Sequence, residues 1–230
     1  MSRGVLVTGG TRGIGLAIAD AFRELGDKVV ALTSAQGDLS DPAAVERLVA
    51  SAVETLGSLD VLVNNAAVMV DAHPVVETSY RDWQTAWQKT FAVNVFGAAN
   101  MSYCAAQYMI ARGSGRIINV GSRGAFRGEP DYPAYGASKA ALHSLGQSLA
   151  VSLAPHGIGV ASVAPGFIET KRVRERLAGT EGDEIRGQSP FGRVGRPEEV
   201  AAAVVYLASP AAIWASGTVL DINGASYLRT

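Results

Sequence analysis

Short apolar, β-branched runs alternate with helix-length segments along the whole chain, and this alternation constrains the fold more than any other feature. Val5-Leu6-Val7 is followed by Leu16 to Leu25, apolar at helical spacing, and then by Val29-Val30-Ala31-Leu32. Ala43 to Leu56 carries Val45, Leu48, Val49, Ala52, Val53 and Leu56 on one stripe and leads into a strand at Leu59 to Val63. Trp83 to Ala111 reads as one long helix or two abutting ones. Arg116 to Val120, Ala134 to Ala154, Gly159 to Ala164, Pro197 to Leu207 and Val219 to Ile222 continue as strand, helix, strand, helix and strand. Strands that are apolar throughout are buried on both faces, and strands alternating with helices build βαβ units. The expected fold is therefore α/β: a doubly wound parallel sheet with helices on both faces. With 230 residues, no internal repeat and no linker, residues 1–230 are expected to form one domain.

One connection breaks the pattern. After the second strand only Thr33 to Gln36 precede Gly37-Asp38-Leu39. A parallel crossover takes about a dozen residues, usually a helix. Either Gly37 to Leu39 is a vestigial edge piece, or that strand and its helix are missing. Six well-formed strands are expected, with the third edge strand shortened or missing.

Composition excludes several classes. Lys plus Arg is 20 against 21 for Asp plus Glu, a net charge of -1. Nucleic acids and anionic membrane surfaces both call for a basic face, so neither is an expected partner. The single cysteine, Cys104, rules out an internal disulfide and a cysteine-based zinc site. His73, His143 and His156 are scattered and read as surface or helix residues; no metal site is expected. No apolar run reaches the roughly 18 residues of a membrane span. Met1-Ser2-Arg3-Gly4 enters the first strand with no secretory segment, so the expected compartment is the cytoplasm.

The first chemical signal is Thr8-Gly9-Gly10-Thr11-Arg12-Gly13-Ile14-Gly15, placed where the first strand becomes the first helix. Glycines there permit a tight turn and close approach of a pyrophosphate, and the helix N-terminus offers free N–H groups to it. A dinucleotide is the expected ligand. A second signal is Tyr135-Gly136-Ala137-Ser138-Lys139. A Tyr and a Lys four apart share one helix face, and a neighbouring ammonium favours tyrosinate. That suits a phenol to general acid–base work. Ser122 stands thirteen residues before Tyr135, just past a strand, and Asn94 lies in the preceding helix.

Taken together these segments resemble the short-chain dehydrogenase/reductase family. The pattern Thr-Gly-x-x-x-Gly-x-Gly at Thr8 to Gly15 is similar to the family's cofactor loop, and Asn94, Ser122, Tyr135 and Lys139 to its catalytic tetrad. Asn64-Asn65-Ala66-Ala67 resembles the family's Asn-Asn-Ala-Gly segment, with Ala67 in place of Gly, and implies contacts of Asn65, Ala66 and Ala67 near the adenosine ribose. Pro165-Gly166-Phe167-Ile168-Glu169-Thr170 resembles the segment that wraps the nicotinamide, implying roles for Pro165, Gly166, Ile168 and Thr170. Asp221-Ile222-Asn223-Gly224 resembles the closing strand, with Ala225 where a second Gly is common. The resemblance runs from Val5 to Gly224.

What it implies is hydride transfer between nicotinamide and a carbonyl carbon, the cofactor carrying the hard chemistry. Tyr135 exchanges the proton with the carbonyl oxygen and Ser122 orients that oxygen. Lys139 lowers the Tyr135 pKa and binds the ribose. Asn94 holds a water that links Lys139 to solvent. The implied cofactor-binding residues are Gly9, Thr11, Arg12, Gly13, Ile14, Gly15, Thr33, Ser34, Asp38, Leu39, Asn65, Ala66, Ala67, Tyr135, Lys139, Pro165, Gly166, Ile168 and Thr170. An NAD site usually places Asp or Glu at the end of the second strand, on the ribose 2′-OH. Here Leu32-Thr33-Ser34 has no carboxylate, and Arg12 precedes Gly13, so NADP(H) is favoured and NAD(H) stays possible. Asp38-Leu39 resembles the pair that meets the adenine.

Residues about 167–191 match the family's lid, a charged segment that also reads as a solvated helix pair. Arg123 and Arg127 flank the active-site loop, facing a phosphopantetheine arm or an acidic carrier protein, or standing as surface charges. The glycine loop, Pro165 to Thr170 and Gly192 to Pro197 are most similar to 3-oxoacyl-acyl carrier protein reductases. The implied substrate is a 3-oxoacyl thioester or related ketone, possibly carrier-protein-linked. Two alternatives stay open: an NAD-dependent alcohol or diol dehydrogenase, and a non-catalytic dinucleotide sensor. The helices carrying Asn94 and Tyr135 are apolar on several faces, at Ala98, Ala99, Met101, Ala105, Ala106, Ala140, Leu142, Leu145 and Leu149. A homodimer or homotetramer is expected, because family members pair these helices across a two-fold axis.

Overall fold

The structure is a computed structural model describing residues 2–229, apart from the Arg172 side chain. Six strands form one parallel sheet in the order β2-β1-β3-β4-β5-β6: β1 Gly4–Thr8, β2 Lys28–Leu32, β3 Val61–Asn64, β4 Gly115–Val120, β5 Ile158–Pro165 and β6 Val219–Ile222. Each strand except the two at the edges is buried along its length, which is why it reads as an uninterrupted apolar run.

Helices cover both faces. On one, α1 (Gly13–Glu24) packs on α9 (Pro197–Leu207), with Ile18, Phe22, Val200 and Val204 against Val5, Val7, Val63 and Val163. On the other lie α2 (Pro42–Leu56), α4 (Ala98–Arg112) and α6 (Pro133–Leu153), with Val49, Met101, Met109 and Leu153 over Leu6, Leu62 and Ile117. Asp41 caps α2 by accepting from the Ala43 N–H at 3.0 Å, and Gly57 closes it at φ 76°.

The sheet ends at β2. Among the described residues no strand pairs with its outer edge, and Thr33 to Gln36 is a turn closed by the Gln36 N–H to the Thr33 carbonyl at 3.1 Å. Of the two readings of the short connection, the missing strand and helix is the one observed. Val30, Leu32, Gly37, Leu48 and Ala52 line an open groove of about 490 Å³ beside this edge.

The long segment before β4 is neither one helix nor two abutting ones. An α-helix, α3 (Tyr80–Phe91), passes into a π-helical stretch, Ala92–Gly97, and then into α4. The charged segment after β5 forms two short, largely exposed helices, α7 (Lys171–Leu177) and α8 (Gly182–Gly187). A further short helix, α5 (Gly124–Arg127), follows β4.

Candidate active site

The C-terminal ends of β1, β3, β4 and β5 face one crevice, the place where open α/β sheets take their ligands. At its β1 end the glycine loop is built to exclude side chains. Gly9 and Gly13 sit at φ 63° and 53°, in the left-handed region. A Cβ on Gly15 would stand 2.2 Å from the Gly9 carbonyl oxygen. Asn65 Nδ2 donates to the carbonyls of Thr8 at 2.9 Å and Gly9 at 3.1 Å. The Thr8 hydroxyl accepts from the backbone N–H groups of Asn65 and Ala66, both at 3.0 Å. Among the described contacts α1 has no side-chain cap, so its first N–H groups stay open to an anion. Thr170 reaches this loop from β5, its Cγ2 lying 3.2 Å from where a Gly13 Cβ would be. A cradle of this kind fits a pyrophosphate.

Arg12 is exposed at the start of α1, and no carboxylate pairs with it among the described residues. Thr33 and Ser34 follow the end of β2 with no acid beside them in sequence. Asp38 lies on the surface, its carboxylate accepting from the Ser40 N–H at 2.9 Å, which holds its pKa below the usual value. Leu39 packs on Gly97 of the π-helical stretch. Ala66 is half-buried and Ala67 exposed at the crevice rim.

At the other end, Tyr135 and Lys139 occupy successive turns of α6, with the ammonium 5.7 Å from the centre of the phenol ring. Lys139 is 2% exposed and donates to the Val120 carbonyl at 2.8 Å. Burial drives its pKa down to about 8. Ser122 follows β4; its hydroxyl accepts from the Gly124 N–H at 3.0 Å, and its own proton stays available to an acceptor. Asn94 lies in the π-helical stretch. Its amide accepts from the Val68 N–H at 2.8 Å and donates to the Val68 carbonyl at 3.0 Å and to Ser138 Oγ at 3.1 Å. Ser138 in turn donates to the Tyr135 carbonyl at 2.8 Å, so one chain of bonds joins Asn94 to the backbone of Tyr135.

Pro165 and Gly166 end β5 beside β6, where the Gly166 N–H donates to the Ile222 carbonyl at 3.0 Å. Ile168 is buried and bridges Gly195, and the Thr170 N–H donates back to the Ile168 carbonyl at 2.7 Å. Ala225 holds φ 57° without being glycine, a strained backbone next to the β6 end.

Two residues, His73 and Arg123, behave differently from their sequence reading, while His143 is the helix residue it was read to be. His73 is not a surface residue: it is 2% exposed, with Nδ1 donating to the Asp71 carbonyl at 2.8 Å and Nε2 accepting from the Ala134 N–H at 3.3 Å. It therefore ties a loop to the first turn of α6. His143 is buried on α6 one turn past Lys139, stacked on Phe126, with both ring nitrogens unpartnered, and burial depresses its pKa to about 4. Arg123 is 5% exposed, not a surface charge. Of the helix residues read as apolar on several faces, Ala98, Met101, Ala105, Ala106 and Leu142 belong to the core. The exposed large apolar groups there include Phe96, Tyr103, Tyr108 and Val151. Among the described residues no group of His, Cys, Asp and Glu is placed to hold a metal, and no helix is long and apolar enough to cross a membrane.

A family model described as Enoyl-(Acyl carrier protein) reductase matches residues 9–225. An uncharacterized oxidoreductase of Thermotoga maritima is 38% identical over 250 residues, covering 97% of this chain and 95% of the relative. A sorbitol dehydrogenase of Cereibacter sphaeroides is 33% identical over 252 residues, covering 97% and 96%. A 3-oxoacyl-[acyl-carrier-protein] reductase of Vibrio cholerae is 33% identical over 241 residues, again covering 97% and 96%. A solved structure of ElxO with NADP bound superposes with a TM-score of 0.90 at 28% identity, covering 98% of this chain and 99% of that one.

Proposed function

Because the chain belongs to the short-chain dehydrogenase/reductase family, we propose that this oxidoreductase uses NADP(H) to reduce a ketone, a 3-oxoacyl thioester or a related carbonyl compound. The observation that carries the reading is the buried Lys139 ammonium beside the Tyr135 ring, on the same crevice as the uncapped glycine loop. When bound, the nicotinamide supplies or takes the hydride; the protein supplies everything else. Gly9, Thr11, Gly13, Ile14 and Gly15 hold the pyrophosphate against the open end of α1. Asn65, Ala66 and Ala67 line the adenosine ribose. Pro165, Gly166, Ile168 and Thr170 hold the nicotinamide end, and Asp38 and Leu39 the adenine. Arg12, Thr33 and Ser34 receive a 2′-phosphate, because no acid stands at the end of β2 to claim a 2′-OH. The ElxO structure with bound NADP supports the same choice.

In reduction Tyr135 donates its phenolic proton to the carbonyl oxygen, and in oxidation it takes one. Ser122 donates a hydrogen bond to that oxygen, a role its free proton permits. Lys139 favours the tyrosinate and keeps two further N–H donors for ribose hydroxyls. The Asn94 amide is fully engaged with Val68 and Ser138. By the family resemblance, Asn94 in the π-helical stretch holds a water that links Lys139 to solvent. Residues 167–191 act as the lid. Phe96, Tyr103 and Val151, exposed on the helices that carry the site, point to pairing with a second copy in a homodimer or homotetramer. The cytoplasm is the proposed compartment.

The test is titration with NADPH and NADH, followed by NADPH oxidation with a short β-ketoacyl thioester. Tighter NADPH binding with turnover supports the reading. Preference for NADH with oxidation of a secondary alcohol or polyol moves the assignment to an alcohol dehydrogenase, the reading the sorbitol dehydrogenase relative favours. Binding without turnover on either class leaves a dinucleotide sensor.

A further inference from the structure

Arg123 is the residue after Ser122, and its N–H donates to the Pro165 carbonyl at 2.9 Å, which fixes it where β4 and β5 open into the crevice. Its guanidinium lies over the Phe167 ring at 5.3 Å, donates to Ser226 Oγ at 2.7 Å and donates to Gln188 Oε1 at 2.9 Å. Arg127 of α5 donates to that same Gln188 oxygen at 2.5 Å. Arg176 of α7 stacks on the same Phe167 ring at 5.4 Å. Three guanidiniums, two from the α5 turn and one from α7, thus converge on one amide oxygen and one aromatic ring.

Their charge is not balanced. Arg176 pairs with Glu181 at 2.8 Å, but no carboxylate comes within 4.0 Å of the Arg123 or Arg127 guanidinium among the described residues. The acid that faces them is Glu129, whose side chain lies against Gly124. Burial raises the Glu129 carboxyl pKa against the pull of the arginines around it, and this one acid faces both Arg123 and Arg127. A buried cation is expensive unless an anion meets it. The neighbouring backbone is strained as well: Ser226, which receives one of the Arg123 bonds, directly follows Ala225 at φ 57°. Strain of this kind persists where the surroundings enforce it, typically at ligand sites. Arginine's planar fork also suits the two oxygens of a carboxylate or phosphate.

We propose that Arg123, supported by Arg127, is a specificity-determining subsite for an anionic oxygen group on the substrate, placed one residue from the serine that meets the reacting carbonyl. Resting on the ketone-reductase reading, this narrows the substrate to an oxo compound that carries its own carboxylate or phosphate. The substrate's anion balances the second guanidinium, for which Glu129 is shared.

The experiment compares matched pairs in NADPH oxidation. One arm sets α-, β- and γ-oxo acids against their methyl esters. The other sets an acetoacetyl thioester of phosphopantetheine against that of pantetheine. A tenfold or greater kcat/KM advantage for the charged member of either pair supports the proposal, and the pair that shows it identifies carboxylate or phosphate. In Arg123→Met the charged-to-neutral ratio falls to about one, and in Arg123→Lys it recovers in part. Equal use of both members in both arms by the wild-type protein overturns the proposal while leaving the ketone reading intact; this comparison needs no variant to fold. Binding of the same acids to the NADPH complex, followed by cofactor fluorescence, is read in parallel. Arg123-dependent binding of acids without turnover of any ketone upholds the anion subsite and refutes the reductase reading instead.

Discussion

Replacing Lys139 by Met is expected to make the protein more stable and less active. The ammonium is buried, and its pKa falls from 10.5 to about 8 because burial penalises the charge. At about 1.4 kcal/mol per pKa unit, holding that charge at neutral pH costs about 3 kcal/mol. Met fills similar space without charge, but it leaves the Val120 carbonyl without its 2.8 Å donor. An orphaned buried carbonyl costs about 1 kcal/mol. The net gain is about 2 kcal/mol, or roughly 4–8 °C in Tm for a domain of this size. The pH dependence follows from linkage. Below about 8 the lysine is charged in both states and the folded state bears the full penalty. As pH rises from 8 to 10.5 the folded state sheds its proton first, and the penalty fades. Urea unfolding at neutral pH and at about pH 10 reads both effects. The variant should lead at neutral pH, and its lead should shrink under alkaline conditions. A variant less stable than wild type at neutral pH, or a lead that does not change with pH, refutes the reasoning.

Three further outcomes are expected. Arg12→Ala should weaken NADPH about tenfold or more, the loss of one charge-assisted contact, while NADH changes less than about twofold; equal losses in a binding titration would remove Arg12 from the 2′-phosphate site. His143 stays neutral in the fold to about pH 4, whereas the unfolded chain protonates near 6.5, so wild type loses stability between those values as pH falls. His143→Leu should lose that dependence and gain about 3 kcal/mol on wild type between neutral pH and about pH 4, measured by urea unfolding. Ala225→Gly should relieve the strain at φ 57° and raise stability by about 1 kcal/mol, seen as a rise in Tm; an unchanged or lower Tm would show that the position carries no strain.

The inner strands were legible because they are largely apolar and buried on both faces, and the edge strands because they are short apolar runs between helices; β4, β5 and β6 fall within a residue or so of their sequence bounds. The helices α1 and α2 were legible from their single stripes. The π-helical stretch was not, because a local change of register from four to five residues leaves the apolar pattern nearly intact. The glycine loop and the Tyr135–Lys139 pair could be placed from order and spacing, and Ser122 from the family resemblance, since each sits at a strand end or on one helix face. Ser138 was within the quoted motif, yet its bonds to Asn94 and Tyr135 depend on two helices meeting. The burial of His73 and Arg123 was not legible, although Arg123 could be placed beside the active-site loop. One sits in a loop with no periodicity, and the burial of both depends on side chains that the chain brings in from far along the sequence. An arginine in a polar loop reads as solvated until Phe167, Gln188 and Ser226 close over it.

The central claim is that Tyr135 moves the proton while the rest of the crevice holds the cofactor. Tyr135→Phe should keep the NADPH dissociation constant within about twofold and lose about a hundredfold or more in kcat for ketone reduction, the usual contribution of a general acid. Turnover near the wild-type rate in that variant, with NADPH still bound, would contradict the account.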